Sequence, residues 1–319
     1  MKTIGILTSG GDSPAMNACI RAVTRCAIKQ GFKVLGVMRG YKGLIDGEFV
    51  PLTTRSVGNI LQLGGTILKT SRCSEFLTKE GFDKALKNIK KAKIDALVII
   101  GGDGSFKGAI NLKNSGVNVV SIPATIDNDL KYTDYTLGFD TAVNTIVQLV
   151  NNIRDTSLAH ERISVVEVMG ANCGDIALNV GSATGADYII VPEVKFNPKD
   201  LYEKLLRNAQ NGKKYSIVVV NEKVASAPEI SKLIEKNTSL AVRPLVIGHI
   251  QRGGTPTADD RVLAMQFGCK AVELIKNNNC GFAVGVLNNK IIEIPLEQAF
   301  NETRKFDIEM FKMAMELSF

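Results

Sequence analysis

The sequence predicts an α/β protein whose mainly parallel sheets are covered by crossover helices, and three observations carry that expectation. Short β-branched runs alternate with longer stretches of helical periodicity, the order of elements that a parallel sheet requires. Three of those runs end in a glycine turn: "GILTSGGD", "LVIIGGDGS" and "VVEVMGANCGD". At 319 residues and 45% hydrophobic content, the chain can build two domains or one large α/β unit around a substantial core.

Taken in chain order, strands are expected at Thr3 to Thr8, Val34 to Met38, Ile94 to Ile100, Val117 to Ile122, Ile163 to Val168, Tyr188 to Val191, Ser216 to Val220 and Phe282 to Leu287. Helices fill the gaps. From Thr141 to Arg154 the apolar residues Ala142, Val143, Ile146, Val147, Leu149, Val150 and Ile153 recur at helical spacing, and Asp200 to Gln210 and Asp259 to Lys276 read the same way. No low-complexity linker marks a boundary.

Composition narrows the function classes. Lys and Arg number 39 against 32 Asp and Glu, a formal charge of +7 that suits anionic ligands but is spread without a long basic block. Tryptophan is absent and the aromatics are not interleaved with basic residues, which argues against nucleic acid and for small phosphorylated ligands. The six cysteines are dispersed without a C-x-x-C pair and histidine occurs only at 160 and 249, so reduced cytoplasmic thiols are expected rather than zinc or disulfides. The apolar start of "MKTIGILTSGGD" is too short for a signal segment, and no stretch approaches membrane-spanning length.

The glycine turns are where chemistry is expected, because open parallel sheets bind ligands beyond the carboxyl ends of their strands. In "GGDSPAMNACIRAVTRCA" Asp12 or Ser13 can cap a helix whose first turn holds Pro14, leaving backbone N–H groups and the positive dipole end for a phosphate. Arg21 and Arg25 lie four apart on that helix, either a solvated basic face or a second anion site. "GGDGSFKG" has no Lys-Ser/Thr pair and is not a Walker A loop. Its Asp103 belongs either to an ordinary Asp-Gly turn or to a polyphosphate site bridged by a divalent cation, Mg²⁺.

"IPATIDNDLKYTDY" leaves an apolar run with Thr125, Asp127 and Asp129 two residues apart. In extended backbone their side chains point the same way, so one carboxylate can receive a hydroxyl proton while another helps hold a metal. Phosphoryl transfer needs little more than alignment, a destination for that proton and cations over the developing charge. Arg72, Arg162, Arg243 and Arg252 sit at strand edges or glycine turns where guanidinium forks can grip phosphate, and His249 and Glu222 suit sugar hydroxyls.

The segments "LTSGGDSPAMNA", "IGGDGS", "PATIDND", "GFDTA", "RISVVEVMG", "CGD" and "GHIQRGGTP", in this order and spacing, resemble the bacterial ATP-dependent 6-phosphofructokinase family across essentially the whole chain. The resemblance implies two Rossmann-like three-layer α/β/α domains with the active site in the cleft between them. Residues 1–138 plus 251–301 would form the larger, ATP-binding domain, and 139–250 plus 302–319 the smaller, fructose 6-phosphate domain. It implies a homotetrameric glycolytic enzyme of the cytoplasm that moves the γ-phosphoryl of MgATP to the 1-hydroxyl of fructose 6-phosphate.

By the same resemblance, Asp127 is the base, with Thr125 and Arg162 beside it in catalysis, and Asp103 and Asp129 belong to the Mg²⁺ region. Gly11, Arg72, Cys73, Gly102, Asp103, Gly104 and Ser105 would hold ATP. Thr125, Ile126, Asp127, Met169, Gly170, Ala171, Glu222, His249, Ile250, Gln251 and Arg252 would face the sugar phosphate, with Arg162 and Arg243 reaching in from a neighbouring subunit. Arg21, Arg25, Arg154, Gly185, Asp187 and Lys213 resemble an effector pocket for ADP or GDP as activator and phosphoenolpyruvate as inhibitor.

Several positions depart from the family pattern. Ala15 replaces Gly and favours the helix it opens. Ala124 stands where ATP enzymes carry Gly and pyrophosphate enzymes Lys, and Gly104, rather than Asp, points to ATP. Ala171 stands where the pattern places Arg, and losing one preorganised donor costs on the order of 10²–10³ in kcat. Thr54 and Asn211 replace cations of the effector pattern, with Arg55 adjacent to the first. Two other readings stay open at this stage: a pyrophosphate-dependent phosphofructokinase and a non-catalytic sugar-phosphate sensor.

Overall fold

The structure, a computed structural model, describes residues 2–300, 302 and 306–318. The chain divides into two compact units, one of Met1–Ile126, Leu130–Thr141 and Arg252–Arg304, the other of Asp127–Asp129, Ala142–Gln251 and Lys305–Phe319.

The first unit begins with β1 (Thr3–Ser9), α1 (Met16–Lys29), β2 (Lys33–Val37), α2 (Tyr41–Asp46) and β3 (Phe49–Pro51). It continues through α3 (Lys79–Lys91), β4 (Ala96–Gly101), α4 (Asp103–Asn114) and β5 (Asn118–Pro123) to the start of α5 (Phe139–Ala159). The second unit follows with β6 (Ile163–Val168), α6 (Asp175–Thr184), β7 (Tyr188–Ile190), α7 (Pro198–Gln210), β8 (Ser216–Asn221), α8 (Ala227–Thr238) and β9 (Val242–Val246). The chain then returns to the first unit for α9 (Ala258–Lys276), β10 (Phe282–Leu287) and β11 (Lys290–Pro295), and α10 (Ile308–Glu316) belongs to the second.

The first unit's seven-stranded sheet runs β11-β10-β5-β4-β1-β2-β3. Its five inner strands are parallel and both edges antiparallel. Alternate side chains explain the layering: Ile4, Ile6, Val98 and Ile100 enter one apolar cluster with α1 and α9, while Leu7, Leu97 and Ile99 enter another on the opposite face. Each fully buried Leu or Ile contributes roughly 1.5–3 kcal/mol of burial free energy, which is why these strands read as continuous apolar runs. The second unit's sheet, β7-β8-β6-β9, is parallel throughout. The expected α/β class with mainly parallel sheets is the one adopted.

Three strands lay outside the sequence expectation. β9 carries an exposed Arg243 and Pro244, tolerable because it is an edge strand. β11 pairs with β10 through Asn288 and Asn289, both at positive φ (49° and 59°), as a tight hairpin prefers. β3 has only three residues.

Two further expectations fail. α1 is capped by Ala15 without a side-chain bond, because the Ser13 hydroxyl instead donates to the Leu137 carbonyl at 2.5 Å. And not every thiol is reduced: the packing of α1 on α9 brings Cys26 and Cys269 to a Cα separation of 5.8 Å, joined as a disulfide. Among the described residues, no helix is long and apolar enough to cross a membrane.

Candidate functional site

Strand order in the first unit reverses between β1 and β4: the chain runs outward from β1 through β2 to β3, then from β4 through β5 to β10 on the other side. Such a switch point opens a crevice at the strands' carboxyl ends. Two of the sequence's glycine turns flank it, since Ser9 pairs with Gly101 across the ladder. The Ser105 hydroxyl donates to the Ser9 carbonyl at 3.0 Å and stitches the turns together. A side chain on Gly101 would collide with both groups, so this approach requires glycine.

The remaining ATP-type residues gather at the same edge. Thr70 donates to the Gly10 carbonyl at 2.8 Å, which brings the segment carrying Arg72 and Cys73 to the first turn. Asn17, buried on α1, ties that excursion down through Leu63 O, Gly64 O and Ile67 N. Beside Gly104 there is open space, while Gly102 faces Thr125, whose Cβ lies 3.5 Å from where a side chain on Gly102 would begin. Arg252 reaches the first turn as well: its guanidinium covers Gly11 and its Nε lies 3.6 Å from Asp12. Ala124 is buried in the core, its N–H donating to Gly101 O at 3.0 Å.

The carboxylate segment differs from its expected geometry. β5 stops at Pro123, and Asn128 takes a left-handed φ of 53°, so residues 125 to 129 are a turn and not extended chain. The alternation survives in burial: Thr125, Asp127 and Asp129 are half-buried, while Ile126, Asn128 and Leu130 are buried. Ile126, at 1% exposure, is a core side chain. Thr136 anchors the turn's start by donating to Thr125 O at 2.6 Å.

In the second unit, Met169 and Gly170 follow β6 and Glu222 follows β8, at the carboxyl edge of the sheet. Gln251, fully buried, accepts from the Met169 N–H at 3.1 Å and so brings the exposed His249 and Ile250 to that edge. Gly170, at φ 138°, is required: a Cβ there would lie 2.6 Å from Cys173 O and 2.8 Å from Asn221 Nδ2. Ala171 holds a φ of 48° despite its side chain. Arg162 and Arg243 do not join this group. They stand at the amino ends of β6 and β9, the opposite edge of the same sheet, roughly 20 Å away at a rise of about 3.3 Å per residue.

For Mg²⁺ the donor set is sparse. Among the described residues no three His, Cys, Asp or Glu side chains stand together as a metal site. Asp103 opens α4 half exposed, paired with Lys107 at 2.6 Å in a surface ion pair. Mg²⁺ needs one or two carboxylates when phosphates supply the other ligands, so this donor fits a metal that arrives on a polyphosphate.

The effector-type residues split between the units. Arg21 and Arg25 lie on α1. In the second unit, Arg154 donates to Thr184 O beside Gly185, the left-handed cap of α6. Asp187, 1% exposed, is engaged by Asn208 (2.7 Å), Ile217 N (2.9 Å) and Lys213 (2.7 Å).

Sequence reasoning missed Asn17, Asp175, Asn221 and Asp260. Asp260 accepts from Gly138 N (2.7 Å), Thr141 N (2.9 Å) and the Thr141 hydroxyl, and burial pushes its carboxyl above the ordinary aspartate range. Only its place three residues after Thr257, which caps α9, was visible locally.

The phosphofructokinase family pattern matches residues 3–275. "ATP-dependent 6-phosphofructokinase" of Clostridium botulinum (strain Hall) is 51% identical over 318 residues, and that of Clostridioides difficile (strain 630) 52%, each alignment covering 100% of both chains. Phosphofructokinase from Saccharomyces cerevisiae superposes with a TM-score of 0.89 at 34% identity, covering 100% of this chain, which spans 48% of the yeast chain. A pyrophosphate-dependent phosphofructokinase from Marinobacter aquaeolei shares the fold, with a TM-score of 0.84 at 21% identity over 97% of this chain and 86% of its own.

Proposed function

This chain belongs to the phosphofructokinase family, and from that premise we propose how its residues divide the work of its reaction. It is an ATP-dependent 6-phosphofructokinase, a glycolytic kinase whose substrates are ATP and fructose 6-phosphate.

In our reading the paired glycine turns hold the polyphosphate, with the backbone N–H groups of Gly11, Gly102, Asp103 and Gly104 and the Ser105 side of the loop turned to its oxygens and Arg72 and Cys73 beside them. Asp127 accepts the proton of the sugar's 1-hydroxyl as that oxygen bonds to the γ-phosphorus, and the bond to ADP breaks in line. Thr125 stands beside the transferred group. Asp103 and Asp129 would hold Mg²⁺, which supplies positive charge over the phosphates when bound. The observation that supports this assignment most is the meeting of both glycine turns at the sheet's switch point, with Thr125 facing Gly102.

Met169, Gly170, Ala171, Glu222, His249, Ile250, Gln251 and Arg252 would bind fructose 6-phosphate. Arg162 and Arg243, at the far edge of their own sheet, would complete the site of a neighbouring copy, which makes assembly, read as a homotetramer, a condition of turnover. The reading extends to cytoplasmic work and to ADP or GDP and phosphoenolpyruvate as effectors at Arg21, Arg25, Arg154, Gly185, Asp187 and Lys213. Purified protein given fructose 6-phosphate with MgATP or with pyrophosphate tests the core of it. Fructose 1,6-bisphosphate with MgATP alone is expected; product only with pyrophosphate, or none with either, overturns it.

A further inference from the structure

The turn that carries Asp127 and Asp129 is not held by its own backbone alone. Asn128, 2% exposed, donates from Nδ2 to Asp175 Oδ2 at 2.8 Å, and Asp175 is itself 5% exposed. The Asn128 carbonyl accepts from Cys173 Sγ at 3.8 Å, so one residue is gripped at side chain and backbone by the segment that opens α6.

That segment is fixed in turn. Asn221, fully buried at the end of β8, donates to Cys173 O at 3.0 Å, and Gly174 N donates to Glu193 Oε1 at 2.8 Å. Asp175 lies in the first turn of α6, where the helix dipole favours a carboxylate. A charged acceptor roughly doubles the strength of the bond from Asn128. Asparagine is among the few residues that take a left-handed φ at modest cost, and at 128 that conformation turns the chain between the two carboxylates.

We propose that Asp175 is a positioning residue for phosphoryl transfer: its bond to Asn128 sets the turn that aims Asp127 and Asp129. The proposal rests on the reading of Asp127 as the base. Asp175 touches neither substrate in this role. It acts on the reacting groups through Asn128, and its effect belongs in kcat, because a displacement of about 1 Å at the reacting groups can cost 10²-fold.

Exchanging donor and acceptor tests the bond itself. Asn128→Asp sets two carboxylates face to face and is expected to lower kcat by about 100-fold with little change in either KM. Asp175→Asn keeps a neutral acceptor and is expected to lose only severalfold. The double variant Asn128→Asp/Asp175→Asn restores one donor facing one acceptor, and kcat should return to within about tenfold of wild type. Asn128→Gly keeps the left-handed backbone without the side chain, and if Asn128→Asp does not fold it should fold with lowered thermal stability and lose kcat with little change in either KM. Wild-type kcat in Asn128→Gly, or a double variant no better than Asn128→Asp alone, overturns the proposal. A wild-type enzyme that forms no bisphosphate from MgATP would instead overturn the functional reading, so the two failures are told apart.

Discussion

The guanidinium of Arg252 occupies the space that a side chain on Gly11 would need. Gly11 ends the turn after β1 and Arg252 ends the "GHIQR" turn 241 positions later, so a residue read as sugar-binding and one read as nucleotide-binding share a single contact. Gly11→Ala displaces the tip of a flexible side chain rather than backbone, so folding should survive. Losing a charge-assisted contact worth about 1.5–3 kcal/mol predicts at least a tenfold rise in the KM for fructose 6-phosphate. Steady-state kinetics with unchanged KM would show that Arg252 does not need this seat.

Gly104 borders open space. Gly104→Asp therefore adds its carboxylate without strain in the fold, and on the reading that this loop holds ATP the new charge would face the phosphates. The KM for ATP should rise by tenfold or more with thermal stability unchanged, and an unaltered KM would remove this loop from the ATP site.

Ala171 holds a φ of 48°. A left-handed alanine costs about 1–2 kcal/mol, part of which glycine recovers, so Ala171→Gly should raise the unfolding free energy by up to about 1 kcal/mol. The midpoint of denaturant unfolding measures it, and a lower midpoint contradicts the strain.

Asp260 is a buried acid whose carboxyl titrates above the ordinary 3.8, chiefly through desolvation. The unfolded chain gives up that proton more readily than the folded one. The group's contribution to stability is therefore fullest below pH 3.8 and is lost as pH rises through the raised value. Asp260→Asn does not titrate, so its stability relative to wild type should improve across that window in unfolding measured against pH. A difference that is flat or moves the other way contradicts the desolvation account.

What the sequence shows of this molecule is what proximity along the chain encodes. Parallel strands such as Ile163–Val168, apolar but for Ser164 and Glu167, and Phe282–Leu287 were legible to the residue, and the glycine turns announced the strand ends that matter. β9 was hidden because an edge strand can carry Arg243 and Pro244. The Ser13 cap was misread because its partner, Leu137, lies 124 residues on, and Cys26 and Cys269 are 243 apart. Thr125, Asp127 and Asp129 were legible by spacing, but the cause of their common exposure was not: Asn128 is turned left-handed by Asp175, a contact that local pattern cannot encode.

Arg162 lies at the opposite edge of its sheet from Met169. If active sites are shared between copies, Asp127→Ser and Arg162→Ala subunits are each nearly inactive alone but complement when mixed and reassembled, because some sites then receive both intact residues. A mixture no more active than either parent contradicts sharing.

The central claim is that Asp127 takes the proton of the attacking hydroxyl. Single-turnover transfer from MgATP to fructose 6-phosphate by Asp127→Ser measures it directly. A positioned base contributes about 10²–10⁴-fold, so the account predicts a fall of that size with sugar-phosphate affinity retained. Transfer at close to the wild-type rate would contradict it.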